Sequence, residues 1–501
     1  MYLLGFDIGS SSVKAALVSI KDTSSVAMTQ SPKIEMEISA PQAGWAEQDP
    51  RKWWHHLCMA THQLSAEHPE KMKEVKAIGL SYQMHGLVLL DEQHEVLRPS
   101  IIWCDSRAVE IGEKAFHEMG KKECLYHMLN SPGNFTASKL RWVQENEPAI
   151  YDKASWAMLP GDYIASRLCG TITTTASGLS EGILWDFRKD APADLLLDYY
   201  DLNPSLIPQQ VPTFGIQGKL SASAAEALGL PAGIPLSYRA GDQPNNALSL
   251  NVLHPGELAA TGGTSGVVYG VVEEATYDPQ SRVNGFLHVN HQKDDPRIGI
   301  LLCINGAGIQ YSWLRKLTGG ENISYQAMGE EAASIAIGAE GLCILPFGNG
   351  AERMLGNKEV GAQIHNLNFN QHSRAHLYRA GLEGIAFSFV YGLEILQEMG
   401  LEVKNLKVDS QNLFQSPIFG QTIANLSGAK IEMLDTNGAV GAARGAGYGA
   451  GIYASLEEAV GQQKVLRTYQ PEQDVAAYES AYQSWKKILE KELVEQELPT
   501  T

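Results

Sequence analysis

Asp242 stands between Gly241 and Gln243 where an expected strand, Pro235 to Ala240, gives out. A carboxylate at the end of such a strand can accept a hydroxyl proton while that oxygen attacks a phosphorus atom. Gln243 beside it can orient a polyol by hydrogen bonds. A lone Asp in a glycine turn is also a common structural device, so Asp242 needs company before it means anything. Asp7 supplies some. It precedes the run Gly9-Ser10-Ser11-Ser12 by two positions, and a carboxylate beside phosphates makes sense where it holds Mg²⁺ directly or through water. The competing reading is an Asp that caps the turn. About half a chain later the same chemistry returns as Gly263-Thr264-Ser265-Gly266. Each run joins two apolar segments and reads as a β-hairpin with a tight turn of glycine and small hydroxyl residues. Such a turn lets backbone N–H groups gather around an anion that a β-carbon would obstruct. Two of them suggest duplicated lobes around a phosphate.

The elements that must position these residues alternate between strand and helix. Asp49-Pro50 reads as a helix cap and first turn, with Trp53, Leu57 and Leu64 on one face. Ala77 to Ser81 and Leu87 to Leu90 read as buried strands on either side of Gln83-Met84-His85-Gly86. A helix is expected from the polar cluster Cys104 to Arg107. A proline-rich loop is expected from Asn203 to Pro212, and a lobe boundary near the turn that carries Asp242. Leu301 to Ile304 leads into Asn305-Gly306-Ala307-Gly308, a strand-to-helix turn of the kind that binds anions. The Gly- and Ala-rich stretch Gly438 to Gly451 reads as a helix packed very closely on its neighbours. Tyr478, Tyr482, Trp485 and Leu489 place a final amphipathic helix.

At 501 residues the chain exceeds what one core supports, so at least two domains are expected. A formal charge of −18 argues against nucleic-acid or anionic-membrane partners. It also requires any phosphate site to be local, made of amides, a few cations and a metal. Six scattered cysteines without a C-x-x-C pair suit reduced thiols. With no apolar run long enough to span a bilayer, a cytoplasmic location is expected. There is no G-x-x-x-x-G-K-[ST] motif, which excludes a P-loop nucleotidase.

Taken together, these positions resemble the FGGY family of carbohydrate kinases, relatives of actin, hexokinase and the heat-shock chaperones, over essentially the whole chain. Asp7-x-Gly9-Ser10-Ser11 is similar to the family's first phosphate motif and Gly263 to Gly266 to its second. Asn134 to Val143 is similar to its first signature segment, and Gly241-Asp242-Gln243 matches its catalytic-base turn. The resemblance implies an α/β fold of two ribonuclease-H-like lobes around a central cleft, residues 1–245 holding a sugar and 246–501 holding ATP. It implies Asp242 as general base, with Met84, His85 and Gln243 lining the sugar site. Asp7 would organise Mg²⁺, Ser11, Ser12, Thr264 and Ser265 would address the phosphates, and Gly306 and Gln310 would contact ATP. A homodimer is an admissible assembly.

Trp45 to Pro50 and the triplet Met84-His85-Gly86 resemble family members that phosphorylate D-xylulose in xylose catabolism. Members acting on glycerol place an Arg-Glu pair at Met84-His85. The alternatives are a kinase of the same family for ribulose, gluconate or glycerol, and a sugar-binding sensor without turnover. The sensor is motivated by a departure. Where the family usually carries Gly-Gly-Gly-Ala at the adenosine, this chain has Gln411-Asn412-Leu413-Phe414-Gln415-Ser416. Asn412 and Ser416 are expected to supply side-chain donors and acceptors there, and Phe414 an apolar wall, unless Phe414 is core. A second departure is Asn366, where the family's second signature segment would have glycine.

Overall fold

Leu3, Leu4, Phe6 and Ile8 are all fully buried, so the strand β1 (Tyr2–Ile8) is covered on both faces. The computed structural model describes residues 1–410 and 413–496, and β1 lies inside the first of its two large sheets. With β2 (Val13–Ser19), β3 (Ser25–Ser31), β4 (Val75–Tyr82), β5 (Phe214–Lys219) and β6 (Pro235–Gly241) it forms the order β5-β6-β4-β1-β2-β3. β1 to β3 are antiparallel, β4 and β6 run parallel to β1, and β5 returns antiparallel at the edge.

The second half repeats this plan. β7 (Leu258–Gly262) and β8 (Gly266–Val272) form the second hairpin, followed by β9 (Asn284–Leu287) and β10 (Ile298–Ile304). β11 (Asn405–Asp409) and β12 (Lys430–Leu434) run parallel to β7, and β13 (Val465–Tyr469) closes the edge antiparallel. The order is β9-β10-β8-β7-β11-β12-β13. Apart from the extra strand β9, the second sheet repeats the spatial order and strand directions of the first, as two ribonuclease-H-like lobes require. Only the antiparallel edge strand differs in chain order, β5 preceding its neighbour β6 and β13 following its neighbour β12.

Helices cover the sheets. α1 (Pro50–Glu67) starts on the Asp49 cap, whose side chain accepts from Arg51 N, and buries Trp53, Leu57 and Leu64. α2 (Thr136–Asn146), α3 (Ala176–Glu181) and α4 (Asp242–Ser249) complete the elements that matter to the first lobe's cleft. α5 (Gly308–Gly319) and α6 (Arg374–Glu398) pack in the second lobe. α7 (Gly438–Gly449) belongs to the second half of the chain but lies on the first sheet, against β1, β4 and β6. Its backbone runs so close to β1 that a β-carbon at Gly5 would collide with Ala439 O and Ala443 N. The Gly/Ala composition of this helix is thus explained by close packing. α8 (Ala476–Glu495) buries Tyr482, Trp485 and Leu489.

Three local expectations change. The helix expected from Cys104 begins at Val109, because Asp105 is committed elsewhere. Its carboxylate accepts from Ala46 N and pairs with Arg107, whose guanidinium lies 3.7 Å from the Trp45 ring centroid. Within the loop expected at Asn203 to Pro212, Pro204–Leu206 forms a 3₁₀ turn and Gln209–Gln210 pairs with Thr173–Thr174. Asp242 is not on a turn but is the first residue of α4. Among the described residues no helix is long and apolar enough to cross a membrane.

Candidate active site

Ile8, Tyr82 and Gly241 stand level on the three adjacent parallel strands β1, β4 and β6. Residues following their carboxyl ends therefore emerge at one edge, where ligands bind in open α/β sheets. That edge receives Asp7, the segment Gln83-Met84-His85, and Asp242-Gln243. Gln83 N donates to Ile8 O at 2.8 Å, and Ser81 Oγ donates to Asp7 Oδ1 at 2.9 Å. The amino end of α7 closes the same edge. Gly438 abuts Asp7 Oδ2, and Asn245 Nδ2 on α4 donates to Gly438 O at 2.9 Å. Asp7 and Asp242 thus flank the start of α7.

Burial, and then the charge of Asp7, push the Asp242 carboxyl up to about 7, against the pull of Gln243's amide and side chain. A carboxyl titrating there is suited to general-base work near neutral pH. Gly241 ahead of it cannot carry a side chain, because a β-carbon would stand 2.5 Å from Glu181 Oε2 and 2.6 Å from Met84 Cγ. Asp7 Oδ2 accepts no hydrogen bond among the described residues. Among those residues no group of three or more His, Cys, Asp or Glu forms a ready-made metal cage. Carboxylate oxygen near an anion site still fits Mg²⁺, which keeps several waters and takes phosphate oxygens as further ligands.

His85 is held with unusual care. Its backbone has φ of 63°, a left-handed value strained for a side chain of its size. Its carbonyl accepts from Lys139 Nζ at 2.9 Å, and that same ammonium donates to Ile102 O at 2.9 Å. Lys139, on α2, is fully buried, and burial pulls its pKa down to about 7. The His85 ring clusters with Phe135 at 4.7 Å and Phe286 at 5.4 Å between centroids, the two phenylalanines being 6.2 Å from each other. Burial and the Lys139 charge bring its pKa down to about 3, so it is neutral at physiological pH. Nδ1 contacts Glu181 O at 2.8 Å. Since a carbonyl only accepts, Nδ1 carries the proton and Nε2 is left as an acceptor.

The hydroxyl turns are open to a ligand. Ser11 and Thr264 are exposed, Ser12 and Ser265 half-buried. The first turn closes through Gly9 N to Ser12 O at 3.0 Å and is braced by Gln48, whose Nε2 donates to Ser10 O at 2.7 Å. The second is braced by α5, since Gly308 N donates to Gly263 O and Ile309 N to Thr264 O, both at 3.0 Å. Gly306 and Gln310 lie at and just beyond the turn between β10 and α5. The Gly306 amide is already committed to Glu352 Oε1 at 2.9 Å, and Gln310 is buried with its amide beside Gly381 of α6. The Gln310 side-chain amide, by contrast, has no hydrogen-bond partner among the described residues at either Nε2 or Oε1.

Asn412 lies outside the described residues. Phe414 is fully buried, packed edge-on against Phe389 at 6.1 Å and Phe419 at 4.9 Å. It is core, which corrects the expectation of an apolar wall for the base. The apolar clustering of Phe389, Phe414 and Phe419 overrides the local motif position.

Several functional residues carry no motif of their own. Gln48 joins three elements, accepting from Trp53 Nε1 at 3.0 Å and Gln83 Nε2 at 3.4 Å while donating to Ser10. Glu181 is buried beneath Gly241. Neither of its carboxyl oxygens has a hydrogen-bond partner of regular geometry, and burial raises it well above the carboxylate range, the nearby Tyr82 hydroxyl only partly offsetting this. The signal available for Gln48 and Lys139 is that both fall in segments already singled out, Trp45 to Pro50 and Asn134 to Val143. Glu181 has no such signal.

Comparison with known proteins gives a consistent result. The family model described as the FGGY family of carbohydrate kinases, N-terminal domain, matches residues 2–249, and its C-terminal-domain counterpart matches residues 258–450. The xylulose kinase of Escherichia coli (strain K12) is 30% identical over 97% of this chain and 98% of its own. The L-xylulose/3-keto-L-gulonate kinase of the same organism is 28% identical over 97% and 96%. Among solved structures, xylulose kinase from Rhodospirillum rubrum superposes with a TM-score of 0.86 at 26% identity, over 98% of this chain and 99% of that one.

Proposed function

The chain belongs to the FGGY family of carbohydrate kinases and is a kinase acting on a sugar; on that premise we propose that it transfers phosphate from ATP to D-xylulose, giving D-xylulose 5-phosphate. The observation that carries this reading is the convergence of Asp242, titrating at about 7, with Met84 and neutral His85 at one sheet edge. Asp242 accepts the proton of the terminal hydroxyl as that oxygen attacks the γ-phosphorus. The bond from phosphorus to the bridging oxygen breaks, and ADP leaves. His85 Nε2 accepts from a ketose hydroxyl, and Gln243 fixes a second. Ser11, Ser12, Thr264 and Ser265 hold the phosphates, together with the amides of their turns. Bound Mg²⁺ supplies charge neutralisation of the phosphates, and Asp7 is the residue that would hold it. In this reading residues 1–245 form the sugar-binding lobe and 246–501 the ATP-binding lobe.

A coupled ADP-release assay over D-xylulose, D-ribulose, L-ribulose, L-xylulose, gluconate and glycerol tests the substrate. D-xylulose is expected to give the highest kcat/KM. A clear preference for glycerol or gluconate overturns the choice of sugar and leaves the family standing.

A further inference from the structure

Arg353 comes from the second half of the chain and ends in the first lobe. It opens a single 3₁₀ turn, Arg353–Leu355, and its Nη1 donates to Ser131 Oγ and Ser281 Oγ, both at 3.4 Å. Its guanidinium lies 5.7 Å from the centroid of Phe135, the same ring that packs edge-on against His85. Nη2 is 3.3 Å from the place a β-carbon on Gly133 would take. Two contacts at the outer limit of hydrogen bonding are weak satisfaction for a guanidinium. No carboxylate among the described residues pairs with it, and burial pulls its pKa down to about 10. Such a group has donors to spare beside the ketose wall.

The preceding residue faces the other way. Glu352 is fully buried and its carboxyl accepts from Asn305 N and Gly306 N, each at 2.9 Å. It therefore clamps the turn between β10 and α5. The start of α5 in turn holds Gly263 O and Thr264 O of the second hydroxyl turn. Two consecutive residues thus join the wall of the sugar pocket to the loop that faces the nucleotide phosphates. Backbone continuity makes the link short, since a shift of Arg353 must carry Glu352 with it.

We propose that Arg353 is a positioning residue that donates to sugar hydroxyls and, through Glu352, transmits sugar occupancy to the Asn305–Gly306 and Gly263–Thr264 turns. The planar fork of a guanidinium can serve two oxygens at once, which an ammonium cannot reproduce. The device answers a problem every kinase faces, because water competes with the sugar for the phosphoryl group unless the donor is aligned only when the acceptor is present. The proposal rests on the sugar-kinase reading of the cleft.

Calorimetric titration of D-xylulose and of a non-hydrolysable ATP analogue, each alone and each with the other saturating, tests it on wild type, Arg353→Met and Arg353→Lys. In wild type each ligand should tighten the other by the same factor, about 5-fold or more, as linkage demands. Arg353→Met should lose that coupling to within about 2-fold of none, with analogue affinity alone unchanged within about the same margin. Arg353→Lys, which keeps the charge and most of the bulk, should fold as wild type and restore little of the coupling. Variants that couple as wild type does overturn the proposal alone. Variants that weaken the analogue alone as much as the pair assign Arg353 a merely structural role and also overturn it. A wild type that binds none of the panel sugars removes the sugar-site reading and the proposal with it.

Discussion

The charge of Asp7 reaches Asp242 across the start of α7 and adds to the burial that holds the Asp242 carboxyl at about 7. Two carboxylates that would repel each other are kept close by Asn245, which ties α4 to Gly438 at 2.9 Å. The repulsion makes Asp242 a stronger base than an exposed aspartate, and it also makes the cleft electrostatically receptive to a cation.

The first prediction concerns pH. A raised carboxyl is in its basic form only above its pKa, so kcat/KM for the sugar should fall as pH drops through about 7. Removing the neighbouring charge with Asp7→Asn should lower that pKa. Carbon-13 NMR titration of the metal-free, nucleotide-free protein reads this directly, without relying on activity. An Asp242 resonance that titrates at the same pH in both proteins refutes the coupling.

Asp242→Asn should lower kcat by ~10²–10⁴ while leaving sugar affinity nearly intact. It should also stabilise the fold at neutral pH. Because the folded-state pKa lies above the ordinary value of 3.8, the native state binds the extra proton between those limits, and stability declines as pH rises through that window. The neutral amide escapes this penalty, so the variant's melting temperature should exceed wild type at pH 8 and approach it near pH 4. Equal melting temperatures at both values would count against a strained base.

His85→Ala should raise KM for the ketose more than for ATP, since the site loses a fixed acceptor and leaves a hydroxyl unpaired. Because His85 stays neutral down to about 3, equilibrium sugar binding to wild type should show no step attributable to its protonation between pH 8 and 5. A step near pH 6.5 that vanishes in the variant would show that the ring is not buried as described.

Phe414→Ala should act on stability and not on the nucleotide. The ring fills core space between Phe389 and Phe419, and deleting such a ring costs about 3–5 kcal/mol. Urea unfolding should show that loss, while ATP affinity of the folded fraction stays close to wild type. A selective loss of ATP binding with unchanged unfolding would return Phe414 to the nucleotide pocket.

Much of this architecture is legible in the chain because glycine and small hydroxyl residues punctuate apolar runs at both hairpins, and the two runs keep the same order. The Asp49 cap and the spacing of Trp53, Leu57 and Leu64 likewise announce α1. The start of α4 is less visible. Gly241, Pro244 and two asparagines read as a turn, yet proline in the first turn of a helix costs nothing, because its missing N–H has no partner there anyway. What cannot be read locally is which partner a residue will meet. Gly438 to Gly449 declares close packing but not that the neighbour is the first sheet. Glu181 and Arg353 are single residues whose meaning arises only when α3 and the 3₁₀ turn at Arg353 are brought to His85 and Asp242. Phe414 sits in a stretch whose position in the chain suggests a ligand, and its aromatic neighbours, distant in sequence, decide otherwise.

The placement of α7 on the first sheet has a consequence for how the protein is made. Its first strand leaves the ribosome more than four hundred residues before the helix that covers it. At ordinary rates of synthesis that interval is on the order of tens of seconds. Throughout it, the face of β1, β4 and β6 that will receive Ala439, Ala442 and Ala446 has no covering helix, and the amino end that will abut Asp7 does not yet exist. The lobe translated first must therefore wait for the other to be nearly complete, and a nascent chain stalled before Gly438 would present this surface to chaperones.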